Sequence, residues 1–146
     1  MDESAYRASR DLANPLPCVF EKALAAGCAA CATSVRRALA EREVIGCKSP
    51  PARVNCATLA ALTRERSAFA LRLPPGAPLT HAMTMRLSCG GLTGVRQCVD
   101  PQQADVHRLV AAAQVKYGSL ADLPWPGIVV ATMAWQGRRS HAGPTA

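Results

Sequence analysis

The spacing of apolar residues predicts helices along most of this chain. The clearest case is residues 50–73, where Val54, Ala61 and Ala68 fall on one helical face. Ser49 stands directly before two prolines and suits the N-cap, so the start of this helix is well marked. Runs of β-branched and aromatic residues with a period of two, which would indicate strands, are nearly absent.

Further helical patterns are bounded by glycine, proline or capping residues. The predicted helices cover residues 3–13, 18–26, 33–44, 50–73, 105–117 and a last segment that starts at Pro126. Residues 79–99 have an ambiguous period because Gly90 and Gly91 interrupt them. We expect a glycine-bent helix or two short helices there, with the glycines allowing close packing against other helices.

The expected fold class is therefore all-α. These segments predict a single compact helical domain of about five to six helices over residues 1–137. Within it we expect the long helix of residues 50–73 to pack against residues 105–117 and the last helix. Residues 138–146 carry no apolar period and predict a disordered basic tail.

Composition and charge indicate the compartment and the kind of partner that we expect for this protein. Apolar residues make up 49% of the chain, but no apolar run is long enough for a membrane span, and the acidic N-terminus lacks the pattern of a signal peptide. We therefore expect a cytoplasmic protein, whose thiols stay reduced. The net charge of +7 is spread along the chain, so it fits a solvated surface as well as an acidic protein partner.

Four of the seven cysteines lie close together in sequence. Cys28 and Cys31 form a Cys-Ala-Ala-Cys motif, and Cys47 and Cys56 follow singly. Four soft thiolates satisfy either a tetrahedral metal ion or an iron–sulfur cluster, so these four residues are the predicted ligands. Cys56 would lie near the positive end of its helix, a position that favours a thiolate. Cys89, directly before two glycines, is the reserve ligand.

The spacing favours a cluster, [4Fe-4S] in type, over zinc. Many zinc folds bring two close cysteine pairs together on β-hairpins, whereas this segment has one close pair and two single cysteines among helical signals. Packing and thiol redox chemistry are the other interpretations. Cys18 and Cys98 suit small buried hydrophobic positions, and a thioredoxin-type dithiol at Cys28 and Cys31 lacks the preceding strand that such motifs follow.

Other chemistry has little support in the sequence. His81, His107 and His141 lie far apart and are expected at structural or surface positions, with His81 near Cys89 worth attention. The chain has no nucleophile elbow, P-loop or paired-histidine helix, so an accessory protein is favoured over an enzyme.

Two function classes follow from these patterns. The first is an iron–sulfur protein that acts in electron transfer, redox sensing or cluster delivery to an acidic protein partner. The second is a helical nucleic-acid-binding module with a structural zinc site. Residues 115–123, Val-Lys-Tyr-Gly-Ser-Leu-Ala-Asp-Leu, are similar to one helix-hairpin-helix arm of DNA-repair proteins, in which amides of a glycine turn contact phosphate. The resemblance lacks the second glycine of a Gly-x-Gly turn, and an ordinary helix cap explains the segment equally well.

Overall fold

The computed structural model describes residues 2–137, which are mostly helical with one small sheet. The elements in chain order are α1 Glu3–Ala13, α2 Glu21–Ala25, β1 Ser34–Leu39, β2 Arg42–Cys47, α3 Pro50–Ser67, α4 His81–Met85, α5 Gly91–Val99, α6 Val106–Tyr117 and α7 Trp125–Ala134. A π-helical turn, Arg86–Gly90, joins α4 to α5, and a 3₁₀ turn, Leu120–Asp122, precedes α7. The predicted tail, residues 138–146, and His141 with it lie outside the described residues.

The all-α prediction is wrong for residues 33–44, which form most of a β-hairpin instead of a helix. β1 and β2 pair antiparallel, from Ser34 opposite Cys47 to Leu39 opposite Arg42. The reason is tertiary, because Val44 and Ile45 on β2 are buried against the core, an environment that suits β-branched side chains in an extended chain. The fold is thus mainly helical, with a two-stranded sheet.

Several predicted helices are confirmed because their ends carry local signals. Ser49 caps α3, and its hydroxyl accepts a hydrogen bond from the N–H of Ala52 at 3.2 Å. Asp105 caps α6 in the same way, and Gly118 ends α6 with a φ of +85°. α3 ends at Ser67, shorter than predicted, and α2 starts only at Glu21.

The glycines of residues 79–99 allow close helix packing, as predicted. A Cβ added to Gly90 would lie 2.9 Å from the Cα of Thr132 on α7. A Cβ on Gly94 would lie 2.9 Å from the Cα of Ile128 on the same helix. Such distances are far inside van der Waals contact, so only glycine lets α5 and the π turn approach α7 this closely.

One hydrophobic cluster connects the elements. Leu59 on α3, Leu109 on α6 and Ile128 on α7 are each 1% exposed and belong to this cluster. α3 therefore packs against both α6 and α7, as the sequence predicts. Within residues 2–137, none of the helices combines the length and the apolar character that crossing a bilayer requires.

Candidate functional site

Four thiols line a single pocket between the hairpin, α3 and the start of α6. They are those of Cys18, Cys31, Cys47 and Cys56. The cavity among them has a volume of about 20 Å³, and all four cysteines are half-buried and free. Each comes from a different segment: the loop before α2, the loop before β1, the end of β2, and the second turn of α3. The fold therefore assembles a four-thiol pocket from distant parts of the sequence.

Three of the four predicted ligands lie in this pocket, and the fourth position is taken by Cys18. The spacing Cys28-Ala-Ala-Cys31 suggests a chelating pair, but only Cys31 lines the pocket, while Cys28 packs against the hydrophobic cluster that contains Cys89. Cys18, which the sequence suggests as a core residue, faces the pocket instead. The four-thiol set that the structure brings together is thus Cys18, Cys31, Cys47 and Cys56.

Backbone pairing places Cys18 beside Cys47. The N–H of Cys18 donates to the carbonyl of Ile45 at 2.9 Å, and the N–H of Cys47 donates to the carbonyl of Leu16 at 2.8 Å. Pro17 forms an antiparallel bridge with Gly46, so this loop runs along β2 as a short extra strand. A Cβ on Gly46 would clash with the side chain of Asn14, which leaves room only for glycine beside this strand. No local pattern around Cys18 reveals this long-range pairing.

Cys31 is held by hydroxyl groups and by the start of α6. Its Sγ lies 3.1 Å from the Oγ1 of Thr33, which in turn lies 3.8 Å from the Sγ of Cys47. The carboxylate of Asp105 accepts the N–H of Ala32, and the N–H of Val106 donates to the carbonyl of Ala30 at 2.9 Å. The loop is therefore fastened to the cap of α6, and Thr33 connects two of the four sulfurs.

Backbone and side-chain donors approach the pocket from α3 and from the turn before it. The N–H of Ser49 points to the Sγ of Cys47 at 3.4 Å, the kind of contact that stabilises a thiolate ligand. Arg53, which lines the pocket, donates from Nε to the carbonyl of Pro17 at 2.6 Å. Among the described residues, the pocket lining contains this arginine and no carboxylate. A negatively charged ligand set would thus meet one positive charge in the pocket lining, while Glu21 outside the lining opposes the ionisation of Cys18.

Burial disfavours ionisation of two of the pocket thiols. Burial, followed by the nearby Cys31, Cys18 and Cys47, raises the pKa of Cys56 to about 12. Burial also raises the pKa of Cys18 above its ordinary value. The expected thiolate at Cys56 is therefore wrong for the metal-free protein, since Cys56 lies in the second turn of α3 and the helix dipole acts mainly in the first. A bound cation would reverse this balance by favouring the charged sulfurs.

His107 also lines the pocket, although the sequence places it on a polar flank of its helix. It lies on the first turn of α6 and borders a neighbouring cleft that includes Asn55 and Cys56. The fastening of the Cys31 loop to Asp105 brings this turn to the thiols. Within residues 2–137, no group of three or more histidine, cysteine, aspartate or glutamate side chains is arranged to hold a single metal ion as it stands.

The remaining predicted features lie away from the pocket. Cys98 is half-buried near the end of α5, where Lys116 and Tyr117 donate to its carbonyl at 2.8 and 3.2 Å. The turn that resembles a helix-hairpin-helix arm is an ordinary α6 cap, because the N–H of Gly118 donates to the carbonyl of Gln114 at 2.8 Å. That amide is consequently occupied within the protein.

Comparison with known proteins gives no relative for this chain: no family model, curated protein or solved structure matches it.

Proposed function

We propose that this protein binds an iron–sulfur cluster, [4Fe-4S] in type, through Cys18, Cys31, Cys47 and Cys56, and that it carries electrons to or from a protein partner. The observation that carries the proposal is the single pocket lined by four free thiols from four segments. Four thiolates are the ligand set that such a cluster uses. The revised set replaces Cys28 of the sequence prediction with Cys18.

The placement of the thiols supports a cluster over zinc, because among the described residues no three cysteine, histidine or carboxylate side chains are placed to hold a single metal ion. Tetrahedral zinc, with bonds of about 2.3 Å to sulfur, draws its four sulfurs to roughly 3.8 Å from one another. A four-iron core binds each thiolate at a separate corner, so its ligands surround a volume. Here the four cysteines line a pocket with apolar walls that include Phe20 and Leu24. Hydrogen bonds to sulfur and a partly buried site are also the features by which proteins set cluster potentials.

Four protein ligands favour electron transfer among the roles that the sequence leaves open. A cluster with every iron bound by cysteine has no open position for a substrate, which argues for a carrier rather than an enzyme. Cluster delivery would require release from four separate segments that the hairpin and α3 hold together. Redox sensing would additionally require a conformational change on oxidation.

Positive charge beside the pocket supports an acidic partner. The exposed side chains of Arg37 and Lys48 line a second cleft of about 140 Å³ that shares Gly46 and Cys47 with the thiol pocket. Complementary charge steers the encounter of electron-transfer proteins and weakens with added salt. An acidic partner docked here would lie next to one of the proposed ligands.

Anaerobic purification with iron and sulfide analysis tests the proposal directly. We expect a brown protein with about four irons and four sulfides per chain and a broad visible absorption that bleaches on reduction. A colourless protein with one bound zinc would replace the cluster by a structural zinc site. Steeply salt-dependent binding to duplex DNA by that zinc form would favour the nucleic-acid alternative.

Single serine variants identify the ligands. Cys18→Ser, Cys31→Ser, Cys47→Ser and Cys56→Ser should each lose most of the bound iron. Cys28→Ser and Cys98→Ser are the matched controls and should keep it. The comparison of Cys18→Ser with Cys28→Ser is decisive, because the sequence spacing alone favours Cys28 whereas the pocket contains Cys18. Iron loss on Cys28→Ser with retention on Cys18→Ser would reject the revised ligand set.

A further inference from the structure

The hydroxyl of Thr33 lies between two of the four pocket sulfurs. Its Oγ1 is 3.1 Å from the Sγ of Cys31 and 3.8 Å from the Sγ of Cys47, and both contacts have the geometry of hydrogen bonds to sulfur. Thr33 lines the pocket and is half-buried. A polar side chain that is not itself a proposed ligand is therefore in contact with two proposed ligands.

The backbone around Thr33 is fixed on both sides. The N–H of Lys48 donates to the carbonyl of Thr33 at 2.8 Å, and Ser34, the first residue of β1, pairs with Cys47. The N–H and the hydroxyl of Ser34 donate to the carbonyl of Cys31 at 3.1 and 2.7 Å. The turn from Cys31 to Ser34 and the end of β2 therefore hold the hydroxyl of Thr33 beside both sulfurs.

Other polar groups beside the pocket have different partners or belong to the backbone. The Nε of Arg53 donates to the carbonyl of Pro17 at 2.6 Å. The N–H of Ser49, at 3.4 Å from the Sγ of Cys47, is a backbone group that a side-chain substitution does not remove. The hydroxyl of Thr33 thus offers a contact to sulfur that can be removed without changing any of the four proposed ligands.

Binding of iron by the cysteines would fix the direction of this hydrogen bond. In the metal-free protein either the hydroxyl or the thiol can donate, because both carry a proton. Cysteines that bind a metal lose their protons, so their sulfurs can only accept. A hydroxyl has one proton to donate, and the shorter distance favours the sulfur of Cys31 over that of Cys47 as its acceptor.

We infer that Thr33 raises the reduction potential of the cluster by donating a hydrogen bond to the sulfur of Cys31, an inference that rests on the proposed function. Hydrogen bonds to the ligand sulfurs are among the features that set a cluster's potential. Reduction by one electron from the partner makes the site more negative. Hydrogen bonds to more negative acceptors are stronger, so the donor stabilises the reduced state more than the oxidised state. Thr33 is thus a positioning residue that acts on the cluster through Cys31.

Two substitutions separate the hydroxyl of Thr33 from the shape of its side chain. Thr33→Val keeps the branched shape and removes the donor, whereas Thr33→Ser keeps the donor. In spectroelectrochemical titration the equilibrium constant for reduction should fall by up to about tenfold in Thr33→Val, which is a potential about 59 mV lower for one electron. Thr33→Ser should stay near the wild type. Thr93→Val is the matched control, because Thr93 is also half-buried but lies outside the pocket lining and donates to the carbonyl of Cys89 at 2.8 Å.

Deuterium exchange tests the hydrogen bond itself. In D₂O the hydroxyl of Thr33 carries deuterium, so the iron–sulfur stretching frequencies in the resonance Raman spectrum should shift. Exchangeable N–H groups near the sulfurs, such as that of Ser49, contribute to the same shift. The shift should therefore be smaller in Thr33→Val and equal to that of the wild type in Thr33→Ser. A purely structural role of Thr33 would leave the shift the same in all three proteins.

The possible outcomes distinguish this inference from the proposed function. Iron-loaded Thr33→Val with the potential and the deuterium shift of the wild type overturns the inference and leaves the proposed function intact. A colourless wild-type protein overturns both. If valine prevents the loading of iron, Thr33→Ala removes the same hydroxyl with a smaller side chain, and an unchanged potential in that variant overturns the inference. A fall in potential of equal size in Thr33→Val and Thr93→Val overturns it as well.

Discussion

The Nε of Arg53 on α3 donates a hydrogen bond to the carbonyl of Pro17 at 2.6 Å, and this contact ties the long helix to the loop that carries Cys18. Arg53 also lines the thiol pocket. One side chain therefore both positions a proposed ligand and supplies positive charge to a site that gains negative charge when its thiols ionise. Substitutions of Arg53 that keep or remove its charge separate the positioning of the Cys18 loop from the electrostatic effect.

Replacement of Arg53 should shift the redox behaviour of the bound cluster. Arg53→Gln removes the charge, so the reduction potential should fall by on the order of 50 mV, because a nearby cation favours the more negative reduced cluster. Arg53→Lys keeps the positive charge and loses only the planar guanidinium group. The reduction potential of the cluster should therefore stay near that of the wild type. Spectroelectrochemical titration of the three proteins measures this. Equal potentials in wild type and Arg53→Gln would show that the arginine acts on structure alone.

The residues of the site show which parts of it the sequence can reveal. The cap of α3 at Ser49 and the positions of Cys47 and Cys56 around it follow from local chemistry, so they are predictable. The partnership of Cys18 with Cys47 depends on the bridge between Pro17 and Gly46, which no periodicity encodes.

One cause explains both why the sequence does not predict the hairpin and why it predicts Cys28 as a ligand in place of Cys18. The sequence predicts a helix where β1 and the first half of β2 form, because short segments such as Val35 to Leu39 fit a helical period by chance and only burial of Ile45 decides for a strand. Without the hairpin, Cys18 has no extended neighbour and Cys28 looks like the natural partner of Cys31. Sequence spacing identifies a group of thiols, but the tertiary pairing decides which four meet.

The metal-free protein should lose stability as the pH rises. The pKa of Cys56 is raised from 9.0 to about 12 in the folded protein, so its stabilising effect is complete below pH 9 and is lost as the pH approaches 12. Thermal melting of the metal-free protein between about pH 8 and pH 11 should show a falling midpoint. Cys56→Ala should flatten the slope. A slope unchanged by that substitution would assign the pH effect to other groups.

The tip of the hairpin offers a simple stabilising change. Ala40 has a φ of +58°, a left-handed conformation that costs an alanine about 1 kcal/mol and a glycine almost nothing. Ala40→Gly should therefore raise the free energy of unfolding by about 0.5 to 1 kcal/mol. Ala40→Val should lower it, because β-branched side chains tolerate this region poorly. Urea unfolding of both variants gives the comparison, and stabilisation by valine would contradict the backbone argument.

Replacement of two glycines in neighbouring helices by alanine should change the stability of the protein in opposite directions. A Cβ at Gly94 on α5 would lie 2.9 Å from the Cα of Ile128, so Gly94→Ala must push α5 and α7 apart and should cost about 1 to 3 kcal/mol. Gly127 lies within α7 and has nothing within 4 Å of an added Cβ. Gly127→Ala should therefore stabilise the protein by up to about 1 kcal/mol through helix propensity.

Chemical denaturation of the two alanine variants, with wild type as reference, measures these opposite signs. Both variants replace glycine by alanine. The difference between their free energies of unfolding therefore reports the effect of the close approach of α5 to α7. Equal changes in the free energy of unfolding for Gly94→Ala and Gly127→Ala would contradict the argument from the close approach of α5 to α7.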